Sequence, residues 1–317
     1  MSALNGILFL DKPEGWTSHD VVAKARRLFQ TKTIGHCGTL DPMASGLLIL
    51  LIGNATKLSD FLLTQDKTYL TTVQLGLTTD TFDITGDVLA QTPCDLSKDK
   101  IEKAIQILTG NVELEVPIFS AAKVKGKKLY EYAREKKSIE LPKKIMNFYN
   151  IKILEMNPGS VSVQLSCSKG SFIRAWGHQL GQILGVGGVL KSLRRIESLP
   201  WSIESATTID TLEQIFEKEG TITSESLKKS FIPASKALPH LKSVIADLKE
   251  EKLISNGQIP HSVSSRMVFE LKQATREGIS LGVKVLSSND QRLLAILQMI
   301  PGKGLKIRRV FKNDNIN

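Results

Sequence analysis

The feature that most restricts how this chain can fold is a run of six consecutive apolar residues, 47–52, bounded by Gly46 and Gly53. A membrane-spanning helix needs about 20 apolar residues, so the run is too short to cross a bilayer. It is typical of a buried core element in a globular protein. The first residues lack the basic and apolar pattern of a signal peptide, and we therefore expect a cytoplasmic protein without a membrane segment.

Patterns typical of both strands and helices surround this run. Residues 6–10 predict a short buried strand, and Thr17 with Asp20 predicts a capped helix over 18–29. Further strands are predicted at 67–76, 147–156 and 160–167, and further helices from Ser97 to Gly110, over 172–184 and over 208–218. The mixture predicts an α+β fold with a large mixed sheet and flanking helices.

The sequence pattern changes after about residue 232. A helix is predicted near 241–254, followed by short alternating strands at 266–271, 280–286, 293–299 and 305–311. We therefore expect a catalytic domain over 1–232 and a small, mostly β domain over 233–317.

The charge balance favours a polyanionic partner. The chain has 42 Lys and Arg against 32 Asp and Glu, a net charge of +10. Such a balance points to nucleic acid first and to an anionic membrane surface second. Residues 121–145 are the most basic segment, and Tyr130 and Tyr132 lie within it. This segment favours contact with a nucleic-acid backbone, although a solvated charged helix is the alternative.

Patterns for metals and common cofactors are missing from the sequence. The three cysteines form no C-x-x-C pair, and the five histidines form no H-E-x-x-H motif. The chain has no Walker-type phosphate loop and no G-x-G-x-x-G fingerprint. We therefore expect reduced thiols, no metal and no cofactor.

The most informative candidate residue is Asp41, in the segment Gly-Thr-Leu-Asp-Pro at 38–42. Pro42 disfavours the helical region at Asp41, so the carboxylate is displayed on a tight loop before the buried run. A nucleophile or base fits this place, whereas an Asx-turn that only shapes the loop is the commoner interpretation of such a segment. Asp80 and Asp83, in a Thr-rich loop, do not have calcium-loop spacing and favour turn chemistry.

A second candidate is Arg174, which follows Lys-Gly-Ser-Phe-Ile at the start of a predicted helix. One turn into a helix, it could pair with a carboxylate, although an exposed arginine on a helix face is the commoner case.

Taken in order, these segments resemble one family. The motifs are Gly-Ile-Leu-Phe-Leu-Asp-Lys-Pro at 6–13, His-Cys-Gly-Thr-Leu-Asp-Pro at 36–42, Lys-Thr-Tyr at 67–69, Thr-Asp-Thr-Phe-Asp at 79–83, Val-Pro-Ile-Phe-Ser-Ala-Ala-Lys-Val at 116–124, Cys-Ser-Lys-Gly-Ser-Phe-Ile-Arg at 167–174 and Leu-Arg-Arg at 193–195. Over about residues 5–200 the chain is similar to the TruB family of tRNA pseudouridine-55 synthases. The C-terminal part more loosely resembles the PUA-like domain of bacterial members.

The resemblance implies an isomerase with the pseudouridine synthase fold, which flips one uridine out of the T loop of tRNA. The base is cleaved at N1–C1′ and rejoined through C5–C1′, without metal or cofactor. The residues that fall on the family's functional positions are catalytic Asp41 and Arg174, and substrate-binding His36, Tyr69, Phe172 and Leu193. Within the thumb segment (residues 118–140), which grips the T arm in the family, the RNA-binding candidates are Lys123, Lys125, Lys127, Lys128 and Arg134.

The chain departs from the family at four positions. Cys37 stands in place of Thr, Phe172 in place of Tyr, Gln179 in place of Asp and Ile118 in place of Pro. None of these changes removes Asp41, and we expect activity.

Two other functions compete with the isomerase. One is a glycosidase-like hydrolase that pairs Asp41 with Asp80 or Asp83. The other is a non-catalytic module that binds or helps to fold tRNA. In each case we expect a monomer, with the T stem-loop of tRNA as partner in the isomerase and no protein partner.

Overall fold

The computed structural model describes residues 4–135, 137, 139–276, 282–300 and 303–312. In chain order, its strands are β1 (Gly6–Lys12), β2 (Ile34–Cys37), β3 (Ala44–Ile52), β4 (Lys67–Leu75), β5 (Leu77–Thr79), β6 (Val88–Gln91), β7 (Gly110–Glu115), β8 (Lys123–Val124), β9 (Lys127–Lys128), β10 (Lys143–Asn157), β11 (Ser160–Cys167), β12 (Gly188–Ser198), β13 (Trp201–Ser202), β14 (Phe231–Pro233), β15 (Lys242–Ala246), β16 (Gly282–Ser287), β17 (Leu293–Ile300) and β18 (Gly304–Val310). Its α-helices are α1 (Ser18–Leu28), α2 (Ser59–Leu62), α3 (Lys98–Ile107), α4 (Leu129–Arg134), α5 (Ile173–Ile183), α6 (Ile209–Glu219), α7 (Ser224–Leu227), α8 (Leu248–Ser255) and α9 (His261–Arg276).

The largest sheet in the described part of the chain has ten strands. Its order is β14-β1-β3-β12-β4-β11-β10-β7, with β2 added to β3 and β13 added to β12. All pairs are antiparallel except β3 with β12, which run parallel. The predicted mixed sheet is therefore confirmed. Its parallel pair, β3 and β12, joins segments that are distant in the chain.

The apolar run lies in β3, near the middle of this sheet. Its residues alternate between two hydrophobic clusters, with 48, 50 and 52 in one and 47, 49 and 51 in the other. Because successive side chains of a strand point to opposite faces, the run is buried on both. The predicted buried core element is confirmed, and it supports the loop that precedes it.

Helix α1 begins at the predicted cap. The Thr17 hydroxyl accepts a hydrogen bond from the Asp20 amide at 3.0 Å, and the Asp20 carboxylate accepts one from the Thr17 amide at 2.9 Å. This reciprocal pair satisfies backbone donors that the first helical turn leaves free. The helix ends at Leu28, one residue before the predicted end.

A second sheet is formed by the C-terminal strands in the order β15-β16-β17-β18. One apolar cluster contains residues of this sheet with Ile254 of α8 and Met267 of α9. Another contains Leu293 and Ile296 together with residues of β1 and β3. The second sheet therefore packs against the large sheet as well as against its own helices.

Two sequence predictions in this region are wrong. The segment predicted as a strand at 266–271 belongs to helix α9, because Val263 and Met267, four residues apart, are both buried on one helical face. The single helix predicted at 241–254 is strand β15 followed by α8. Asp247 ends the strand pattern because its carboxylate accepts hydrogen bonds from two amides of the first turn of α8.

The packing of helix α5 generates a stability prediction. Trp176 is fully buried beside Phe148, and its indole donates a hydrogen bond to the Leu108 carbonyl at 3.3 Å. Trp176→Ala is expected to lower the free energy of unfolding by about 3–5 kcal/mol because it leaves a large cavity. Urea denaturation followed by circular dichroism measures the change. Trp176→Phe, which refills most of the volume, serves as the control and should cost clearly less.

Candidate active site

Asp41 lies on the loop between β2 and β3. The Ser18 hydroxyl of α1 accepts a hydrogen bond from the Leu40 amide at 2.9 Å and donates one to the Leu40 carbonyl at 3.1 Å. The Gly15 amide donates to the Pro42 carbonyl at 2.8 Å. These contacts attach both neighbours of Asp41 to the start of α1, while its own side chain stays 36% exposed.

Arg174, the second residue of α5, connects three separate segments. Its Nε lies 2.9 Å from Asp41 Oδ2. Its Nη1 donates to the Thr81 carbonyl at 2.9 Å, and its Nη2 donates to the Phe119 carbonyl at 2.7 Å. The guanidinium is almost completely buried, and its planar set of donors holds the Asp41 carboxylate in one orientation.

Asp83 supports this arrangement from behind. Its Oδ1 accepts hydrogen bonds from the hydroxyls of Thr81 and Thr85 and from the Thr85 amide, and its Oδ2 lies 3.7 Å from Arg174 Nη1. Asp80 accepts a hydrogen bond from the Asp87 amide at 2.8 Å. Both carboxylates are thus engaged in the turn, which does not favour a hydrolase that needs a second reactive carboxylate beside Asp41.

A cavity of about 180 Å³ opens beside Asp41. It is lined by five of the six residues that the resemblance assigns to catalysis and substrate, namely Asp41, Tyr69, Phe172, Arg174 and Leu193. The volume is below the roughly 300 Å³ at which pockets for drug-sized ligands begin, so it suits one small ring. An aromatic wall and one exposed carboxylate therefore share a small cavity.

The central strands place the two residues Tyr69 and Leu193. Tyr69 on β4 lies opposite Arg195 on β12, and Leu193 lies between Thr71 of β4 and Ala44 of β3. Burial raises the pKa of Tyr69, against the opposing charge of Arg195. The phenol therefore stays protonated near neutral pH and can act as an aromatic surface.

His36 is not among the residues that line the cavity. It lies on β2, and its ring meets the ring of His19 edge-on at 5.9 Å. Burial, together with His19 and Arg195, lowers the pKa of His36, which favours the neutral imidazole. Its buried Nδ1 has no hydrogen-bond partner within the described residues.

Three buried cations around the Asp41 loop were missed as functional candidates from the sequence. Lys12 donates to the carbonyls of Pro13 and Trp16 at 2.8 and 2.6 Å. The other two, Lys67 and Arg195, likewise donate to backbone carbonyls. All three lie within the motifs that carry the family resemblance, and that position was the only available signal.

The cations of the thumb segment fall into two groups. Lys123, Lys125 and Arg134 are exposed, and Arg134 lies over the Tyr130 ring at 5.3 Å. Lys127 and Lys128 are half-buried: Lys127 pairs with Glu135 and lies over the Tyr132 ring, and Lys128 lies over the Tyr130 ring. A cation paired with a carboxylate is partly neutralised, so the exposed group fits phosphates better than Lys127 does. Residues 136 and 138 of this segment lie outside the described residues.

Neither a metal site nor a membrane-spanning helix is found among the described residues. No group of three or more His, Cys, Asp or Glu side chains there could hold a metal ion. Among the helices of the same residues, none is long and apolar enough to span a bilayer.

Comparison with known proteins identifies a family and several relatives to which this chain is similar. Residues 26–173 match the family described as TruB family pseudouridylate synthase (N terminal domain). The chain is 43% identical over 309 residues to a protein of Bdellovibrio bacteriovorus named tRNA pseudouridine synthase B, covering 97% of each chain. It is 34% identical over 313 residues to a protein of the same name from Staphylococcus epidermidis, covering 96% of this chain and 97% of the relative.

The fold is similar to that of a protein in a solved complex. The archaeal box H/ACA sRNP Nop10-Cbf5 complex contains a chain that matches with a TM-score of 0.68 at 22% identity, covering 99% of this chain and 88% of that chain. At this identity the likeness shows the fold alone.

The burial of Lys12 generates a prediction about pH. Burial lowers the pKa of this lysine from 10.5 to about 8, and Asp41 opposes the shift. Between pH 8 and 10.5, Lys12 therefore binds more protons in the unfolded chain than in the folded protein. The contribution of Lys12 to the free energy of unfolding consequently rises with pH. Urea denaturation at several pH values should show this rise in the wild type and a smaller rise in Lys12→Met. The exposed Lys32→Met serves as control and should follow the wild type. If the free energy of unfolding changed equally with pH in all three proteins, the lowered pKa of Lys12 would be contradicted.

Proposed function

The chain belongs to the TruB family of pseudouridylate synthases, and we propose on this basis that it isomerises uridine to pseudouridine in tRNA, at position 55 of the T loop. Full-length relatives carry the name tRNA pseudouridine synthase B. The observation that carries the proposal is the ion pair of 2.9 Å between Arg174 and Asp41, at a small cavity that also contains Tyr69.

The reaction leaves the atomic composition of the substrate unchanged. The N1–C1′ bond breaks, the uracil turns, and C5 bonds to C1′; C5 then loses its proton and N1 gains one. Turning the ring so that C5 takes the place of N1 needs a space that holds one loose base. A cavity of about 180 Å³ beside Asp41 supports such a step. The Asp41 carboxylate can attack the sugar, attack the base or take the C2′ proton, and Arg174 holds it for each of these steps.

The target base must leave the stacked loop before it reaches Asp41. Extruding a nucleotide costs a few kcal/mol, and stacking of a base on an aromatic side chain returns about 1–3 kcal/mol. Tyr69 and Phe172 line the cavity and can supply this stacking, and Leu193 supplies an apolar contact. Phe172 lacks a hydroxyl, so it contributes a surface and no hydrogen bond. His36 lies outside the cavity, in keeping with a role in filling the space that the flipped nucleotide leaves in the loop.

The thumb segment is proposed to hold the T arm by its phosphates. Its β8–β9 hairpin is attached through Leu129, whose side chain is fully buried and whose amide donates to the Ala122 carbonyl at 2.8 Å. Lys123 and Lys125 project from this anchored hairpin and are exposed. A fixed base with exposed cations suits contacts to a nucleic-acid backbone.

We also propose that residues 233–317 form a PUA-like domain that binds RNA, next to the catalytic domain over 1–232. The support is the separate four-stranded sheet and the charge of its edge strand. In and beside β18, Lys303, Lys306, Arg308, Arg309 and Lys312 are exposed, and no acidic residue interrupts them. Arg309 pairs with Asp60, which leaves most of these cations available.

The proposed setting is the cytoplasm, where the protein acts as a monomer without a protein partner. The three cysteines Cys37, Cys94 and Cys167 are all free thiols, which suits a reducing compartment. The competing function is a non-catalytic module that binds or folds tRNA through the same basic surfaces.

Replacing the carboxylate separates these functions. Asp41→Asn is expected to lower the isomerisation rate at least 1,000-fold, because an amide can neither attack nor accept the proton, while tRNA affinity changes less than about 3-fold. The measurement is release of tritium from tRNA labelled at C5 of its uridines, together with a binding titration. Asp95→Asn, an exposed aspartate in the loop before α3, is the matched control and should retain full activity.

The outcomes of this experiment are distinct. Release of about one equivalent of tritium per tRNA by the wild type and none by Asp41→Asn supports the isomerase. A folded wild type that binds tRNA and releases no tritium would leave the binding module as the function. Free uracil among the products would point to a hydrolase.

The exposed cations of the thumb segment should make tRNA binding depend on salt. The combined variant Lys123→Ala, Lys125→Ala, Arg134→Ala should weaken tRNA binding and reduce the slope of log affinity against log salt by about 2–3, since each phosphate contact contributes roughly 0.7–0.9. Lys127→Ala is the control, because this lysine is already paired with Glu135, and it should reduce the slope by less than one contact.

The same titration tests the basic edge strand of the C-terminal sheet, where the combined variant Lys306→Ala, Arg308→Ala should also reduce the slope. An unchanged slope in either combined variant would contradict the corresponding RNA surface.

A further inference from the structure

Arg195 is a buried arginine near the candidate site. Its side chain is 1% exposed, and within the described residues its guanidinium has no carboxylate partner. Its Nε donates to the Leu47 carbonyl at 2.6 Å, and its Nη2 donates to the Gly38 carbonyl at 3.0 Å. A buried charge is costly unless it is paired or fully hydrogen-bonded, so an arginine whose hydrogen-bond acceptors here are backbone carbonyls requires an explanation.

The two carbonyls lie on either side of Asp41 in the chain. Gly38 is the first residue after β2, and Leu47 lies within β3, the strand that follows the Asp41 loop. One guanidinium therefore connects the beginning of the loop to β3. Gly38 has a φ of +82°, and a Cβ placed there would lie 3.4 Å from Arg195 Nη1. The positive φ, rather than the space beside the guanidinium, is what favours glycine at this position.

The same residue also determines the place of Tyr69. Arg195 lies directly opposite Tyr69 across the β4–β12 pair and opposite Gly46 across the β3–β12 pair. A Cβ on Gly46 would come within 2.3 Å of the Arg195 carbonyl oxygen, so β3 and β12 can only approach this closely with glycine at that position. Directly opposed side chains on neighbouring strands lie side by side, which places the guanidinium next to the Tyr69 ring.

We propose that Arg195 is a positioning residue that fixes the distance between the Asp41 carboxylate and the Tyr69 ring, acting through the Gly38 and Leu47 carbonyls. The inference rests on the proposed isomerase function, because it concerns the alignment of the carboxylate with the base that Tyr69 holds. Arg195 does not touch the substrate. A displacement of about 1 Å of a reacting group can slow a reaction by about 100-fold, so loss of these two hydrogen bonds should act on the chemical step.

The neighbouring Arg194 provides a matched control. It is 41% exposed and donates two hydrogen bonds to the Asp11 carboxylate at 3.1 and 2.6 Å, away from Gly38 and Leu47. The variants are Arg195→Met, Arg195→Lys and Arg194→Met. Single-turnover rates at saturating tRNA and KM values are measured by tritium release, and Tm values by thermal unfolding.

Arg195→Met should lower the single-turnover rate about 100-fold with KM within about 3-fold of the wild type, since the tRNA-binding surfaces are unchanged. Arg195→Lys retains a donor for one carbonyl, so its single-turnover rate should be about 10-fold higher than that of Arg195→Met. Arg194→Met should stay within 3-fold of the wild type in both constants. A role in stability alone would lower Tm and leave the rate of the folded fraction unchanged.

Gly38→Ala supplies a second route to the same contact, and it also serves if Arg195→Met does not fold. Alanine is strained at the Gly38 φ of +82°, and this strain shifts the carbonyl that Arg195 Nη2 binds. Because both changes then act on one hydrogen bond, the combined variant Gly38→Ala, Arg195→Lys should be slower by clearly less than the product of the two single effects. Additive effects, a change confined to KM, or an Arg195→Lys rate equal to the wild type would overturn the proposal. An inactive wild type would instead overturn the proposed function, so the two failures are distinguishable.

Discussion

The candidate site depends on the three contacts of the Arg174 guanidinium. One donor meets the Asp41 carboxylate, a second meets the Thr81 carbonyl in the loop that also holds Asp83, and a third meets Phe119 at the base of the thumb segment. Because the guanidinium is planar and rigid, these three segments cannot move independently while the bonds persist. The Asp41 carboxylate, its supporting turn and the thumb segment are thus joined at one buried side chain.

Behind this contact, the Asp41 loop is surrounded by positive charge. Lys12, Lys67 and Arg195 are buried and donate to backbone carbonyls. Desolvation favours the neutral form of a lysine, and the lowered pKa values of Lys12 and Lys67 show this cost. Two of the three contact the loop directly, because Arg195 donates to the Gly38 carbonyl and Lys12 lies 3.5 Å from the Pro42 carbonyl. Lys67 donates instead to the Leu63 carbonyl.

Local patterns predicted the longer elements of the large domain, among them β1, α1, β4, β10 and β11, but not β12, which lies at the centre of the large sheet. The apolar run predicted a buried element because its burial follows from composition, and α1 began where Thr17 and Asp20 could cap it. In the C-terminal part, the strands predicted at 293–299 and 305–311 formed as β17 and β18, but two other predictions were wrong. There, a helix rather than a strand formed over 266–271, because the deciding contacts are those of Val263 and Met267 with the second sheet. Those contacts are between residues distant in the chain.

By itself, the sequence determined the family, the predicted roles of Asp41 and Arg174 and the basic character of the thumb segment, because residue identity and order are enough to carry a motif and a net charge. Only the tertiary structure decided that Arg174 reaches Asp41, that His36 lies outside the cavity and that Lys127 is already paired. The physical reason is that burial and hydrogen-bond partners come from strands and loops far apart in the chain. Their energies do not exist until the sheet has brought these segments together.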